Sequence, residues 1–490
     1  MTTGLRTREF LLGSSPPVTL DVDTTPAAPT LRGARAILLI SALVLTVLAF
    51  QLNASLLSPA LPQMAASLGV SIAEISNVQS AFFLAASVLG MVISRWSDTI
   101  GRRRALFVSL GLLLIGSMLA LATSSFALLL AARVLQGASS AAFTIAFLVL
   151  SEELTGKLFG VAVGVVTAVN GGLGGLDGYI GGALTDALGW RSLFAVILAL
   201  GIVATVMAMI FVPGRRPAEH ARMDWLGALV LAVLLVSLTQ FIGAASSRGL
   251  GSGTLVLLAI VVLSAVLFIR VERRVRQPLI AVSALRSRFV WPVIASTFLT
   301  VAGVFSATNF TVVMLSQDVE VGYGLDATMS GLLFLTPAAV AGVVAATFAG
   351  WVAQRVGWVH TQRIATGILV VLMVLVALSA TEQWVVFALL IITGAFYIGT
   401  FQTTANGLSV LNSPPDAPGS LPGINGAQFG LGAAAGIALV APLADLATEI
   451  GYRSAFIVSA ALVGGGLMCS LILKPAAAAL PAATTKESLA

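Results

Sequence analysis

Two ionisable side chains stand inside apolar segments: Arg133 in the run 126–150, and Asp177 in the run FGVAVGVVTAVNGGLGGLDGYIGGA at 159–183. A charge at the centre of a membrane helix costs roughly 2.5–3.5 kcal/mol even on the mild insertion scale, so such a residue faces protein or water rather than lipid. Asp177 is a candidate for exchanging protons or holding a cation. Arg133 has Gln136 three residues on, so the two project from one side of a helix. If the runs alternate in direction, Asp177 and Arg133 share the outer half of the bilayer and can pair. Plainer readings stand beside these: an arginine bonded to backbone carbonyls of the first apolar run, and an aspartate bonded to nearby backbone. Gly174, Gly178 and Gly182 fall at four-residue steps beside Asp177, and a small-residue stripe lets a neighbouring helix approach closely.

A second group sits at the ends of apolar runs. SRWSDTIGRRR at 94–104 places Asp98 and Gly101 beside Arg102 and Arg103, and Glu152 and Glu153 close the fourth run. Arg102 and Arg103 can pair with Glu152 or Glu153 and clamp that end of the bundle shut. Asp98 can face a helix N-terminus, where the dipole favours negative charge. The alternative is an ordinary basic loop. Amides inside the runs, Asn53 and Asn309 among them, suit a polar cavity or interhelical glue worth roughly 0.6 kcal/mol each. Phe305, Phe310, Phe396 and Tyr397 are candidate cavity aromatics, with ordinary packing as the alternative.

The elements that carry these residues follow from composition. The chain has 490 residues, is 58% hydrophobic and only 9% charged, and has a mean hydropathy of +1.03. Soluble domains carry about 25% charge, so the sequence describes an all-α integral membrane protein. Fourteen apolar runs are long enough to cross, near 36–58, 77–94, 105–123, 126–150, 159–183, 192–213, 225–244, 253–271, 289–314, 329–353, 363–380, 384–410, 425–447 and 453–473. With the N-terminus inside, 22 of the 26 lysines and arginines fall on the inner side, as the positive-inside rule demands. The expected location is a bacterial cytoplasmic membrane with both termini inside. The net charge of +6 then faces anionic lipid and not nucleic acid.

The chain repeats itself. GWRSLF at 189–194 returns as GYRSAF at 451–456, and the loop at 94–104 has an echo in GWVAQRVG at 350–357. The organisation expected is a cytoplasmic tail at 1–35, a six-helix half at 36–213, two inserted helices at 225–271, a second six-helix half at 289–473, and a tail at 474–490. Paired halves around a midplane site are a common transporter plan.

These residues also carry a family resemblance. SRWSDTIGRRR resembles the G-x-x-x-D-R-x-G-R-R loop of the major facilitator superfamily, with Ser94 and Thr99 departing from it. RVLQG at 133–137 resembles that superfamily's span-4 motif, and LNASLLSPALP at 52–62 and LSQDVEVGYGLDATMSGLLFLTPAA at 315–339 resemble motifs of its fourteen-span drug:proton antiporters. The resemblance implies the major facilitator fold, a role for Arg133 in proton movement, and Asp98 facing span 11. Two departures stand out: Asn53 replaces a common span-1 Asp, and Asp177-Gly178 replaces the Gly-Pro of the span-5 motif G-P-x-x-G-G. The expected function is export of hydrophobic compounds, cationic drugs and dyes included, in exchange for protons, with Asp177 replacing the acid that Asn53 cannot be. The alternatives are an exporter or facilitator of one metabolite with Asp177 structural, or a non-transporting sensor or lipid-handling scaffold. The expected partners are a small-molecule substrate, protons and the lipid bilayer, with no nucleic acid, and the expected state is a monomer. There is no P-loop or metal-ligand cluster, so neither enzyme chemistry nor a cofactor is expected.

Overall fold

The computed structural model describes residues 31, 33–154, 158–159, 161–162, 164–166, 169, 176–214, 223–249, 251–275, 290–411 and 420–473. Among them, thirteen helices are long and apolar enough to cross a membrane. They are span 1 (Ala34–Leu68), span 2 (Ile72–Ile100), span 3 (Arg102–Ala122), span 4 (Phe126–Glu153), span 6 (Arg191–Phe211), span 7 (Trp225–Ala245) and span 8 (Ser252–Glu272). The second half supplies span 9 (Trp291–Gln317), span 10 (Ala327–Val356), span 11 (Trp358–Leu378), span 12 (Gln383–Ser409), span 13 (Ile424–Ala444) and span 14 (Glu449–Ile472). The run at 159–183, counted as span 5, is only partly described; its helix Leu176–Leu188 is too short to qualify alone. Fourteen spans are consistent with this arrangement.

Local chemistry sets the helix ends. Ser71 and Glu74 form a reciprocal capping box at the start of span 2, satisfying backbone donors at both positions. Spans 2 and 3 are joined by Gly101 at φ 92°, and spans 10 and 11 by Gly357 at φ 98°. The two turns are 256 residues apart, so the repeat extends to backbone geometry. Only glycine adopts that region without strain. Gly101→Val is therefore expected to cost about 1–3 kcal/mol, read as a lowered melting temperature of the detergent-solubilised protein. An unchanged melting temperature would contradict this reading of the turn.

Several helices change pitch midway. Span 1 tightens to a 3-10 turn at Ser58–Ala60, where Pro59 lacks an N–H. Spans 9, 10 and 12 each carry a π-helical segment, at Ala307–Thr311, Gly331–Leu335 and Ala395–Phe401. Such segments recur at functional sites.

We call "inner" the end bearing the arginine-rich loops. The halves meet closely at the outer end. The described part of span 5 packs on the start of span 10: a methyl group on Gly182 would strike Ala327 O, and one on Gly178 would strike Leu335. Asp186 accepts from Thr328 N at 2.7 Å and from Thr328 Oγ1 at 2.5 Å. Gln317 Nε2 donates to Pro59 O at 2.9 Å, and Ala73 N to Asp445 Oδ1 at 3.2 Å. Spans 2 and 13 also cross in contact, Gly430 lying against Phe83 O and Ser87. At the inner end, span 4 packs on spans 1, 2 and 3, and span 10 on spans 11 and 12. Spans 4 and 10 form no packed pair among the described residues. The inserted spans 7 and 8 pack on each other, and span 7 lies against both span 2 and span 13. Val88 and Val92 meet Ala228 there, and Trp96 meets Trp225 edge-on at 5.4 Å.

Candidate functional site

The polar residues of span 1 sort onto different faces and tie the first half together. Asn53 and Arg133 are fully buried. Arg133 Nη1 donates to Asn53 Oδ1 at 2.5 Å and to Gln136 Oε1 at 2.8 Å. Its Nη2 reaches Asn53 O at 3.2 Å and its Nε reaches Val78 O at 3.1 Å. The guanidinium also lies 4.2 Å from the centroid of Phe82, a cation–π contact strengthened by desolvation. Gln136 passes the network on to Ser117 at 2.9 Å. One arginine thus joins spans 1, 2 and 4, and its neighbour adds span 3.

Asp177 belongs to a separate network. Its carboxyl is 1% exposed and bonds to Ser55 Oγ. Ser55 also donates to Gln51 O at 2.9 Å, and Gln51 Nε2 lies 3.4 Å from Ser55 Oγ. No ion pair involves Asp177 among the described residues. The possible Asp177–Arg133 pair is therefore not formed. The reason is helical geometry: Asn53 and Ser55 are two residues apart, about 200° around span 1, so their partners approach from different sides. Ser55 was not legible in sequence, because a single serine in an apolar helix commonly bonds only its own backbone.

The inner-end cluster forms one of the expected pairs, Arg102 with Glu152, and departs from expectation elsewhere. Arg102 donates to Asp98 at 2.5 Å, to Ser97 Oγ at 2.6 Å and to Glu152 at 3.0 Å. Asp98 also meets Arg95 at 3.3 Å, so its partners here are arginines of its own loop rather than the N-terminus of span 11. Arg103 does not pair with Glu152: it donates to Met209 O at 2.5 Å and lies over Phe107. Glu153 is buried, and its carbonyl accepts from Leu31 N at 3.2 Å. The Arg102 pairs are partly exposed and lie within the first half. Each is worth up to about 1 kcal/mol. They brace the turn between spans 2 and 3 and tie it to the end of span 4.

Of the other candidates, Gly174 lies outside the described residues. Asn309, on the π-helical segment of span 9, donates to Thr308 Oγ1 at 2.9 Å. Phe310 is fully buried, and buried Tyr397 stacks on Phe401 at 6.2 Å. These two pack the bundle. Phe396 lines an apolar crevice of about 370 Å³ with Phe348, Val352 and Ile364. Phe305 belongs to a cluster across the halves: it meets Phe83 at 5.0 Å and Phe429 at 5.6 Å, both edge-on. No group of acids, histidines and cysteines suited to a metal ion occurs among the described residues. The arrangement sets a buried carboxyl against a neutral hydroxyl and joins the halves through packed aromatic rings.

Residues 43–437 match the family model described as the Major Facilitator Superfamily. Over 429 residues the sequence is 32% identical to a uridine/deoxyuridine transporter of Lactococcus lactis, covering 85% of this chain and 89% of that protein. It is 26% identical over 413 residues to the quinolone resistance protein NorB of Staphylococcus aureus, covering 82% and 87%. The crystal structure of a human organic anion transporter superposes with TM-score 0.60 at 18% identity, covering 90% of this chain and 100% of that one. The nucleoside transporter NupG gives 0.59 at 11%, covering 89% and 99%. At those identities the solved structures speak to the fold alone.

Proposed function

Because the chain belongs to the major facilitator superfamily and is a multi-pass membrane transporter, we propose that it moves a neutral aromatic solute of the pyrimidine nucleoside class, coupled to protons through Asp177. The observation that carries the coupling is the setting of Asp177: buried in a span, with a neutral hydroxyl as its side-chain partner. A carboxyl held this way gains and loses a proton without breaking an ion pair. Ser55 and Gln51 position it, and Arg133 fixes the span that carries Ser55. The nucleoside class is supported by the 32% identity to a uridine/deoxyuridine transporter along most of both chains. Amides and phenylalanines in the second half suit a neutral aromatic ligand. With the outer ends packed together, the conformation reads as inward-facing, in a cytoplasmic membrane with both termini inside. Transport then proceeds by rocking of the halves.

A second reading is proton-linked export of hydrophobic drugs, the expectation from the motifs, favoured by the similarity to NorB. One experiment addresses both. Proteoliposomes with an imposed pH gradient are given radiolabelled uridine or norfloxacin. The parent protein is expected to concentrate uridine. Asp177→Asn is expected to equilibrate uridine across the membrane without concentrating it. Concentrative transport that survives in Asp177→Asn overturns the assigned role, and norfloxacin carried in place of uridine selects the second reading.

A further inference from the structure

Beyond the proton site, the second half carries an amide pair that its packing does not explain. Asn406 on span 12 and Asn425 on span 13 are joined by one hydrogen bond, Asn425 Nδ2 to Asn406 Oδ1 at 2.8 Å. Asn425 is 8% exposed, and its Oδ1 has no hydrogen-bond partner among the described residues. A buried acceptor left unmatched is costly, and such groups are rare in native structures. Asn406 is exposed, so the pair runs from the interior to an open rim. One helical turn outward along span 13 stands Phe429, in edge-on contact with Phe305 and with Phe83 at 6.3 Å. Residues four apart share a helix face, so Asn425 and Phe429 present an amide and a ring on the same side.

The bond between the asparagines consumes one donor of Asn425 and the oxygen of Asn406. What is left is the Oδ1 acceptor and the second N–H of Asn425, and both donors of Asn406 Nδ2. We infer that this pair reads the imide edge of the substrate, an N–H flanked by carbonyl oxygens, while Phe429, the partly exposed ring of the cluster, packs against the base. The imide N–H donates to Asn425 Oδ1, and one adjacent carbonyl accepts from Asn406 Nδ2. A ligand of this kind satisfies the orphaned acceptor; a lipophilic cation has no carbonyl for Asn406 and calls for an acid that the pair lacks. The inference rests on the nucleoside reading above and deepens it: the first half handles the proton, the second half the base.

The test uses the full-length protein in proteoliposomes, with radiolabelled uridine counterflow competed by unlabelled uridine or by 3-methyluridine, whose imide hydrogen is replaced by methyl. For the parent protein, 3-methyluridine is expected to compete about tenfold more weakly, the worth of one hydrogen bond. In Asn425→Ala and in Asn406→Ala, uridine is expected to weaken by about tenfold, and the Asn425 variant is expected to lose its preference for uridine over the methylated competitor. Asn406 is at the exposed rim, so that variant reports on binding even if Asn425→Ala unfolds, which a melting curve reveals. Equal competition in the parent, or unchanged uridine affinity in a folded Asn406→Ala protein, overturns the amide assignment and leaves the transport reading standing. Absence of uridine counterflow in the parent overturns both.

Discussion

Gly182→Leu is expected to hold the outer side open and reduce transport steeply. Gly182 lies so close to Ala327 O that no side chain fits between span 5 and span 10. Overpacking of this kind costs about 1–3 kcal/mol. Charged against the closed state alone, that shifts its population by about 5–150-fold. On the proposed alternating-access cycle, which passes through the outer-closed state, uridine counterflow should fall by a comparable factor. The structural readout is independent of substrate. In a Cys469→Ser background, a cysteine placed by Ala73→Cys lies beside Asp445 at the outer seam. It should react faster with a membrane-impermeant thiol reagent when Gly182 is Leu. Parent-like labelling and counterflow together would show that this contact does not control closure.

The second large effect concerns Arg133. Arg133→Leu leaves the side-chain acceptors Asn53 Oδ1 and Gln136 Oε1 without this donor in a dry interior, and removes the additional bonds to the helix carbonyls Asn53 O and Val78 O. Each orphaned buried acceptor costs about 1–3 kcal/mol, so the sum threatens the first half as a folded unit. The expected outcome is a sharp drop in melting temperature and in yield of monodisperse protein. Arg133→Lys is expected to recover only part of this. An ammonium is a point donor, and it does not reproduce the planar fork that reaches two helices at once. It also loses the flat contact with Phe82. Transport defects in Arg133→Lys without loss of stability would argue for a direct part in proton movement. Stability and transport both unchanged in Arg133→Leu would remove the residue from the account.

Much of the fold was legible because the bilayer constrains it so strongly. Apolar length fixed where spans run, and the placement of arginines fixed their alternation. The repeat was visible in GWRSLF and GYRSAF, and Gly101 and Gly357 carry it into the backbone. Within the site, the identity of the buried charged residues could be read, but not their partners. Asp177 and Arg133 share a depth, yet the pairing depends on which side of span 1 each neighbour occupies. That angle is set by tertiary packing. Arg103 illustrates the same limit: its motif position suggests an acid partner, but the nearest acceptor is a backbone carbonyl of span 6. The π-helical segments in spans 9, 10 and 12 had no sequence signal that we recognise.

The inserted helices have a consequence for how the halves move. The halves meet along two seams, one along spans 2 and 13, the other along spans 5 and 10. Span 7 lies over the first, touching both halves. If the halves rock as proposed, span 7 works as a spine does in a book, holding to both covers on that flank, while the seam of spans 5 and 10 has no such strap from spans 7 and 8 among the described residues.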